Sequence, residues 1–199
     1  MEQIVERVLE LLHYDASAPL IFNSGLFLFL FVGFSAGYVL MRRASTLRIL
    51  YVILFSIYFY YKSSGIYFLL LVFTAVSDYW IAHGIAAARS KKTKRWLVAL
   101  SVAVNLGMLG YFKYTNFFIE IANNIFGAGF LDFRNIFLPV GISFFVFQSI
   151  SYTADIYRRR IEPLGMWIDY IFFLSFFPQL VAGPIVRARD FIPQIRQNP

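Results

Sequence analysis

The residues best suited to chemistry lie in the stretch Phe176-Phe177-Pro178-Gln179-Leu180-Val181-Ala182-Gly183-Pro184-Ile185-Val186-Arg187. A long apolar run is interrupted by Pro178 and by Gly183-Pro184, and Arg187 and Arg189 follow at once. Backbone groups freed in hydrocarbon persist only where they pack into protein or line a wet cavity. Pro184 suits the first turn of a restarting helix. The free N–H groups and positive dipole end of such a helix favour an anion, and an arginine fork suits phosphate. Gln179, Gly183, Pro184, Arg187 and Arg189 are therefore the candidate binding or channel residues. For the two arginines, a plain topological role weighs equally.

Four further polar residues fall inside apolar stretches. Asp78 is an intramembrane carboxylate, costly enough to suggest function, though no basic partner is evident and helix packing is the favoured reading. Asn105 and Gln148 suit interhelical hydrogen bonds of roughly 1 kcal/mol or less each, with tunnel lining as the minor alternative. Lys113 sits among Tyr111, Phe112 and Tyr114, where snorkelling to the interface explains it. His83 could pair with a tyrosine or a backbone carbonyl. Asp155 and Arg158, three apart, suit a helical ion pair. The chain contains no Gly-rich phosphate loop and no Ser/His/Asp set. With no cysteine, disulfides and thiolate metal sites are excluded.

These residues need elements to hold them, and composition names the class. Of 199 residues, 59% are hydrophobic, 20% aromatic and 15% charged, more apolar surface than a soluble domain of this size could bury. The expected fold is all-α, with polytopic transmembrane helices and a re-entrant or broken helix near the C-terminus. The net charge of +7 comes from clusters between apolar segments, at Arg42, Arg43 and Arg48, at Arg89 through Arg95, and at Arg158 through Arg160. That pattern fits the positive-inside bias and not the basic face of a nucleic-acid-binding domain.

A crossing takes about 20 apolar residues. Five segments qualify: Leu20 to Met41, the shorter Leu47 to Tyr61, Ile66 to Ala88, Trp96 to Ile119, and Phe137 to Tyr157. Lys62-Ser63-Ser64-Gly65 reads as a turn. With the N-terminus outside, all three basic clusters fall on the cytoplasmic side. The sixth stretch, Trp167 to Ala182, would reach only about 24 Å as a helix, and a full crossing would put Arg187, Arg189 and Arg196 outside. It is expected to be re-entrant. Residues 1–19 read as an interfacial amphipathic helix, with Ile4, Val5, Val8, Leu11 and Leu12 opposite Glu2, Glu6 and Glu10. Residues 20–199 form the membrane-embedded unit.

The run ending at Arg187 also resembles the signature of membrane-bound O-acyltransferases, in the branch containing bacterial alginate O-acetyltransferases. Asn105-Leu106-Gly107 continuing to Tyr111-Phe112-Lys113-Tyr114, Leu138-Pro139-Val140-Gly141-Ile142-Ser143-Phe144, and Gln148-Ser149-Ile150-Ser151-Tyr152 with Asp155-Ile156-Tyr157-Arg158 look alike in the same order. The teichoic-acid D-alanyl branch resembles the chain less, since its Ser-Gly-Pro pattern reads Ala182-Gly183-Pro184 here. The resemblance implies acyl transfer, most simply acetyl, from a cytoplasmic donor such as acetyl-CoA used as substrate, with no bound cofactor. The implied acceptor is a hydroxyl on an envelope or exported polysaccharide, reached through a periplasmic or extracellular transfer partner. The implied location is the bacterial inner membrane. The family's catalytic His lies in a later hydrophobic segment, expected beyond Pro199, and neither His13 nor His83 inherits its role. The chain is thus expected to be the N-terminal portion of an enzyme, inactive alone. The alternative from another class is a non-catalytic scaffold or partner subunit in a membrane complex. A transporter would be marked by inverted repeats, and none is evident.

Overall fold

The computed structural model describes residues 14–15, 20, 24–41, 45–127, 129–183 and 186–195. Every regular element among them is helical. Arg42, Arg43, Pro184, Arg196 and all of the expected N-terminal helix except Tyr14 and Asp15 lie outside the described residues.

Helix α1, Gly25–Leu40, opens on Ser24, whose hydroxyl accepts the Phe27 N–H at 3.1 Å, an ordinary N-cap. Helix α2, Ser45–Ser64, gives way at Gly65 (φ +59°) to a 3₁₀ turn, Gly65–Tyr67, and then to α3, Phe68–Ala87. Hydrogen bonding is nearly continuous from Thr46 to Ala87, yet the chain reverses. Ser56 and Leu71 border one small interior gap, whereas a straight helix would hold them about 22 Å apart. The reversal therefore falls at Gly65–Tyr67, later than the turn expected at Lys62–Gly65, because Lys62, Ser63 and Ser64 complete the last turn of α2, and the short second segment extends to 20 residues, enough to cross.

Helix α4, Lys91–Leu109, is capped by the Ser90 hydroxyl. It continues through a π turn, Gly110–Tyr114, into α5, Thr115–Phe126. On length and composition, Thr46–Ala87 and Lys91–Phe126 are the helical stretches able to cross a membrane, and α1 is a shorter apolar helix. Two asparagines on α5 then fasten the returning chain. Asn116 exchanges both amide bonds with Arg134, and Asn123 does the same with Leu131, all at 2.8–2.9 Å. Seven helical residues advance about 10.5 Å and three extended residues about 10 Å, so the two clamps share one register.

Helix α6 is Ile142–Tyr157, starting later than the expected Phe137. Pro139 lies in the approach, and Gly141 adopts φ +74°, where a Cβ would collide with the Leu180 carbonyl oxygen. Only glycine fits there. The far end of α6 closes in a Schellman turn: Arg159 N–H bonds Ile156 O and Arg160 N–H bonds Asp155 O, both at 2.9 Å. Arg159 takes the left-handed position at φ 55°. That turn corrects the expected Asp155–Arg158 pair. Arg160 is the residue swung back over Asp155, at 3.5 Å.

The apolar run after Trp167 is broken, as anticipated. Helix α7, Trp167–Ser175, ends at Phe176 (φ −55°, ψ 103°), and α8, Phe177–Ala182, restarts with Pro178 in its first turn. A short α9, Ala188–Phe191, and a 3₁₀ turn, Ile192–Gln194, follow. Helices α3, α4 and α6 form the tightest group, with α7 wedged against α2 and α3. Buried Ala75, Ala82, Ile85, Phe145, Tyr152, Tyr170 and Phe173 share one core. A second cluster joins Phe59 and Phe177 to Phe27 and Phe34 of α1. The outer surface stays apolar, with Leu28, Phe29, Leu40, Leu54, Ile66 and Trp80 all exposed, a distribution suited to lipid. The chain is an all-helical membrane protein.

Contacts order the ends. Ala86, Lys94, Ile156, Arg159 and Arg160 share a cleft of about 410 Å³. Tyr79 donates to Gly165 O at 3.1 Å just before α7. At the opposite end of α6, Val140 N–H bonds the Ser64 hydroxyl at 3.0 Å. Lys94, Arg159 and Arg160 thus meet at the end of α6 opposite Val140 and Ser64.

Candidate functional site

The polar residues of the bundle converge where α3, α4, α6 and α7 meet. Asp78 on α3 is fully buried. Its Oδ2 accepts Asn105 Nδ2 from α4 at 2.6 Å and the Ser149 hydroxyl from α6. Ser149 in turn meets the Tyr170 hydroxyl of α7 at 2.6 Å. Asn105 also donates to Ser101 O at 2.9 Å, and the Ser101 and Thr153 hydroxyls lie 3.2 Å apart. Five side chains from three helices therefore gather around the one carboxyl of a fourth. Asp78 Oδ1 and Asn105 Oδ1 have no hydrogen-bond partner among the described residues, and buried polar atoms of that kind are uncommon.

A second pair links α6 to the broken element. Gln148 Nε2 donates to Gln179 Oε1 at 2.6 Å, with both residues buried. The break itself is held by Ser56 on α2, whose hydroxyl accepts the Phe177 N–H at 3.3 Å. This is one of the amides that a helix start leaves without an internal partner. Gly183 follows at the end of α8, where a Cβ would lie 2.6 Å from Gln179 Cα. Close backbone approach is the reason for glycine at that position.

The remaining candidates are dispersed. Arg187 is exposed at the N-cap of α9. Arg189 pairs with its neighbour Asp190, Nε to Oδ1 3.3 Å, at the surface. Pro184 is outside the described residues. Lys113 is exposed on the π turn with its ammonium 5.4 Å from the Tyr114 ring centroid. His83 takes both of its anticipated partners: Nδ1 lies 2.9 Å from Tyr79 O, and its ring is 4.3 Å from that of Tyr79. Among the described residues, no group of three His, Cys, Asp or Glu side chains could hold a metal.

Sequence reasoning treated Asp78 and Asn105 as separate packing residues and did not single out Ser101, Thr153 or Tyr170. A signal was available. Ser101 and Asn105, and likewise Ser149 and Thr153, are four apart and so share a helix face.

A helical membrane protein with a polar knot at its helix junction, and a proline-broken helix tied to that bundle, is the class these observations define. Its likeness is to the alginate O-acetylase branch of the membrane-bound O-acyltransferases, over part of their length. The chain is 40% identical over 185 residues to a protein of Azotobacter vinelandii named as alginate O-acetylase AlgI, covering 90% of this chain and 36% of that one. It is 34% identical over 207 residues to the peptidoglycan O-acetyltransferase of Helicobacter pylori, covering 90% and 39%. The teichoic acid D-alanyltransferase of Lacticaseibacillus rhamnosus matches half of this chain at 32% identity, in keeping with the weaker resemblance of that branch. The chain spans little more than a third of the length of these two O-acetyl-transferring relatives. No family model and no solved structure matches it.

Proposed function

We propose that this chain is the N-terminal, wall-forming part of a membrane-bound O-acyltransferase. The enzyme transfers an acyl group, acetyl in the simplest case, to hydroxyls of an envelope or exported polysaccharide. The observation that carries this reading is the identity with proteins named as O-acetylases of two different envelope polysaccharides, sustained over nine-tenths of the chain.

The gathered cations support a cytoplasmic position for the basic end and an outside position for the N-terminus. The segment 167–195 is read as re-entrant. Leu180 backs onto Gly141 at the opposite end, and Phe191 returns to stack near Phe172 and Phe176, at 6.0 and 5.5 Å. On this reading Gln179 and Gly183 shape the channel wall, and Arg187 stands at its mouth toward a donor such as acetyl-CoA. The catalytic His is supplied by sequence beyond Pro199, and the acceptor is reached through a periplasmic or extracellular partner.

The test is a chimera in which the matching third of the Azotobacter relative is replaced by this chain. Restored O-acetylation of exported polysaccharide supports the proposal, and a stable, membrane-inserted chimera without transfer contradicts it. Orientation is tested separately, since the chain lacks cysteine. S90C should react with an impermeant maleimide only from the cytoplasmic side, and N124C only from outside. The opposite pattern would overturn the topology.

A further inference from the structure

Helix α4 carries a marker of the lipid–water boundary at each end. Trp96 is exposed near its start, and Tyr111, Lys113 and Tyr114 are exposed on the π turn that follows it. Tryptophan, tyrosine and snorkelling lysine collect where hydrocarbon meets headgroups. Positions 96 and 114 are about 27 Å apart along a helix, close to the roughly 30 Å of a hydrocarbon core. That spacing sets the crossing between Trp96 and the π turn, so α5 begins at the far interface.

Helix α5 does not have the surface of a segment leaving for water. Phe117, Ile121, Ile125 and Phe118 fall within about 100° of its circumference, and each is exposed. Phe126, also exposed, extends this face to Phe130 of the returning chain, with ring centroids 5.0 Å apart. Asn116, Glu120, Asn123 and Asn124 occupy a separate polar arc. Carried on upright, the 12 residues of α5 would lift the apolar face about 18 Å beyond the interface. The junction instead joins three features that bend helices. One is the π turn itself. Another is Tyr114 at φ −115°, ψ −4°, away from helical values. The third is the Thr115 hydroxyl, which donates back to Tyr111 O at 2.6 Å. The asparagine clamps then satisfy the carbonyls of Leu131 and Arg134, so the returning chain can lie beside α5 at an apolar boundary without stranding them.

We propose that α5 and the clamped segment 129–136 form a lipid-binding surface that lies flat in the membrane interface, with the apolar arc turned toward the acyl chains. The surface runs on from the lipid-exposed side chains of α4, among them Leu100, Leu106 and Tyr111. Its separate polar arc is what a helix in the interface plane presents to headgroups and water. The proposal rests neither on the acyl-transfer reading nor on which side of the membrane this end occupies.

The test uses the purified 199-residue chain in phosphatidylcholine liposomes. The sequence has no cysteine, so single nitroxide labels can be placed at L106C, E120C, I121C and I125C. Power saturation then compares collisions with oxygen, which enters lipid, and with a nickel chelate, which stays in water. The oxygen-to-nickel ratio at I121C and I125C should be at least about threefold that at E120C, and lower than that at L106C in the middle of the crossing. Nickel-biased labels at all three α5 positions would overturn the proposal and leave the apolar face to a protein partner. Oxygen-biased labels at all three, matching L106C, would overturn it in favour of a deeper insertion. Liposome flotation checks membrane insertion, and F118C, on the same arc, replaces either isoleucine position should its variant fail to insert.

Discussion

Replacing Asp78 by alanine removes the acceptor on which α3, α4 and α6 converge. Two hydrogen bonds end, from Asn105 Nδ2 and from the Ser149 hydroxyl. Interhelical hydrogen bonds in membrane proteins average about 0.6 kcal/mol and reach about 1.7, so these two alone account for roughly 1–3 kcal/mol. Neither donor is stranded, because Asn105 keeps Ser101 O and Ser149 keeps the Tyr170 hydroxyl. The loss should therefore stay well below the roughly 3–5 kcal/mol that follows when a buried ion pair is broken. Reversible unfolding in mixed micelles reads the difference, and a double-mutant cycle with N105A isolates the shared bond. The cycle should return a coupling of about 0.5–1.5 kcal/mol. A D78A loss under about 0.5 kcal/mol, or strict additivity with N105A, would refute the knot as a stabilising junction.

Other substitutions test separate parts of the structure. G141A forces a side chain into a left-handed position against the Leu180 carbonyl and should cost at least about 1–2 kcal/mol in the same unfolding assay. Q148L and Q179L should each cost about 1–3 kcal/mol by leaving a buried amide without its partner, whereas the double variant should cost less than either single change. Removing both clamps with N116A and N123A should speed proteolysis between residues 129 and 136 while leaving the unfolding of the bundle unchanged. Truncating Arg160, whose side chain is 47% exposed beside Asp155, should alter stability by less than about 1 kcal/mol.

Much of this architecture was legible because apolar length, glycine and proline act locally. The reversal at Gly65 and the break around Pro178 follow from residues that cannot continue a helix. The meeting of Lys94 and Arg160 at one end follows from the charges that flank the apolar segments. What periodicity cannot supply is the neighbour across a helix interface. Ser149 and Tyr170 lie 71 and 92 positions from Asp78, and only the packing of α6 and α7 brings them to it. The start of α6 was misplaced because Gly141 is dictated by Leu180, thirty-nine residues later. The partner of Asp155 was misassigned because a left-handed Arg159 redirects the chain. The ion pair of Arg189 with Asp190, adjacent in sequence, is a local contact that the apolar pattern does not mark.

The proposed role of this chain as part of an O-acetyl-transferring enzyme is open to test on the polysaccharide itself. Its most direct test is the ester-linked acetate on alginate made by Azotobacter vinelandii in which this chain replaces the matching third of the AlgI relative. Acetate well above that of a strain lacking the relative, and absent when the 199-residue chain is expressed alone, is the predicted result. A chimera that inserts stably in the membrane yet leaves the alginate unacetylated would contradict it.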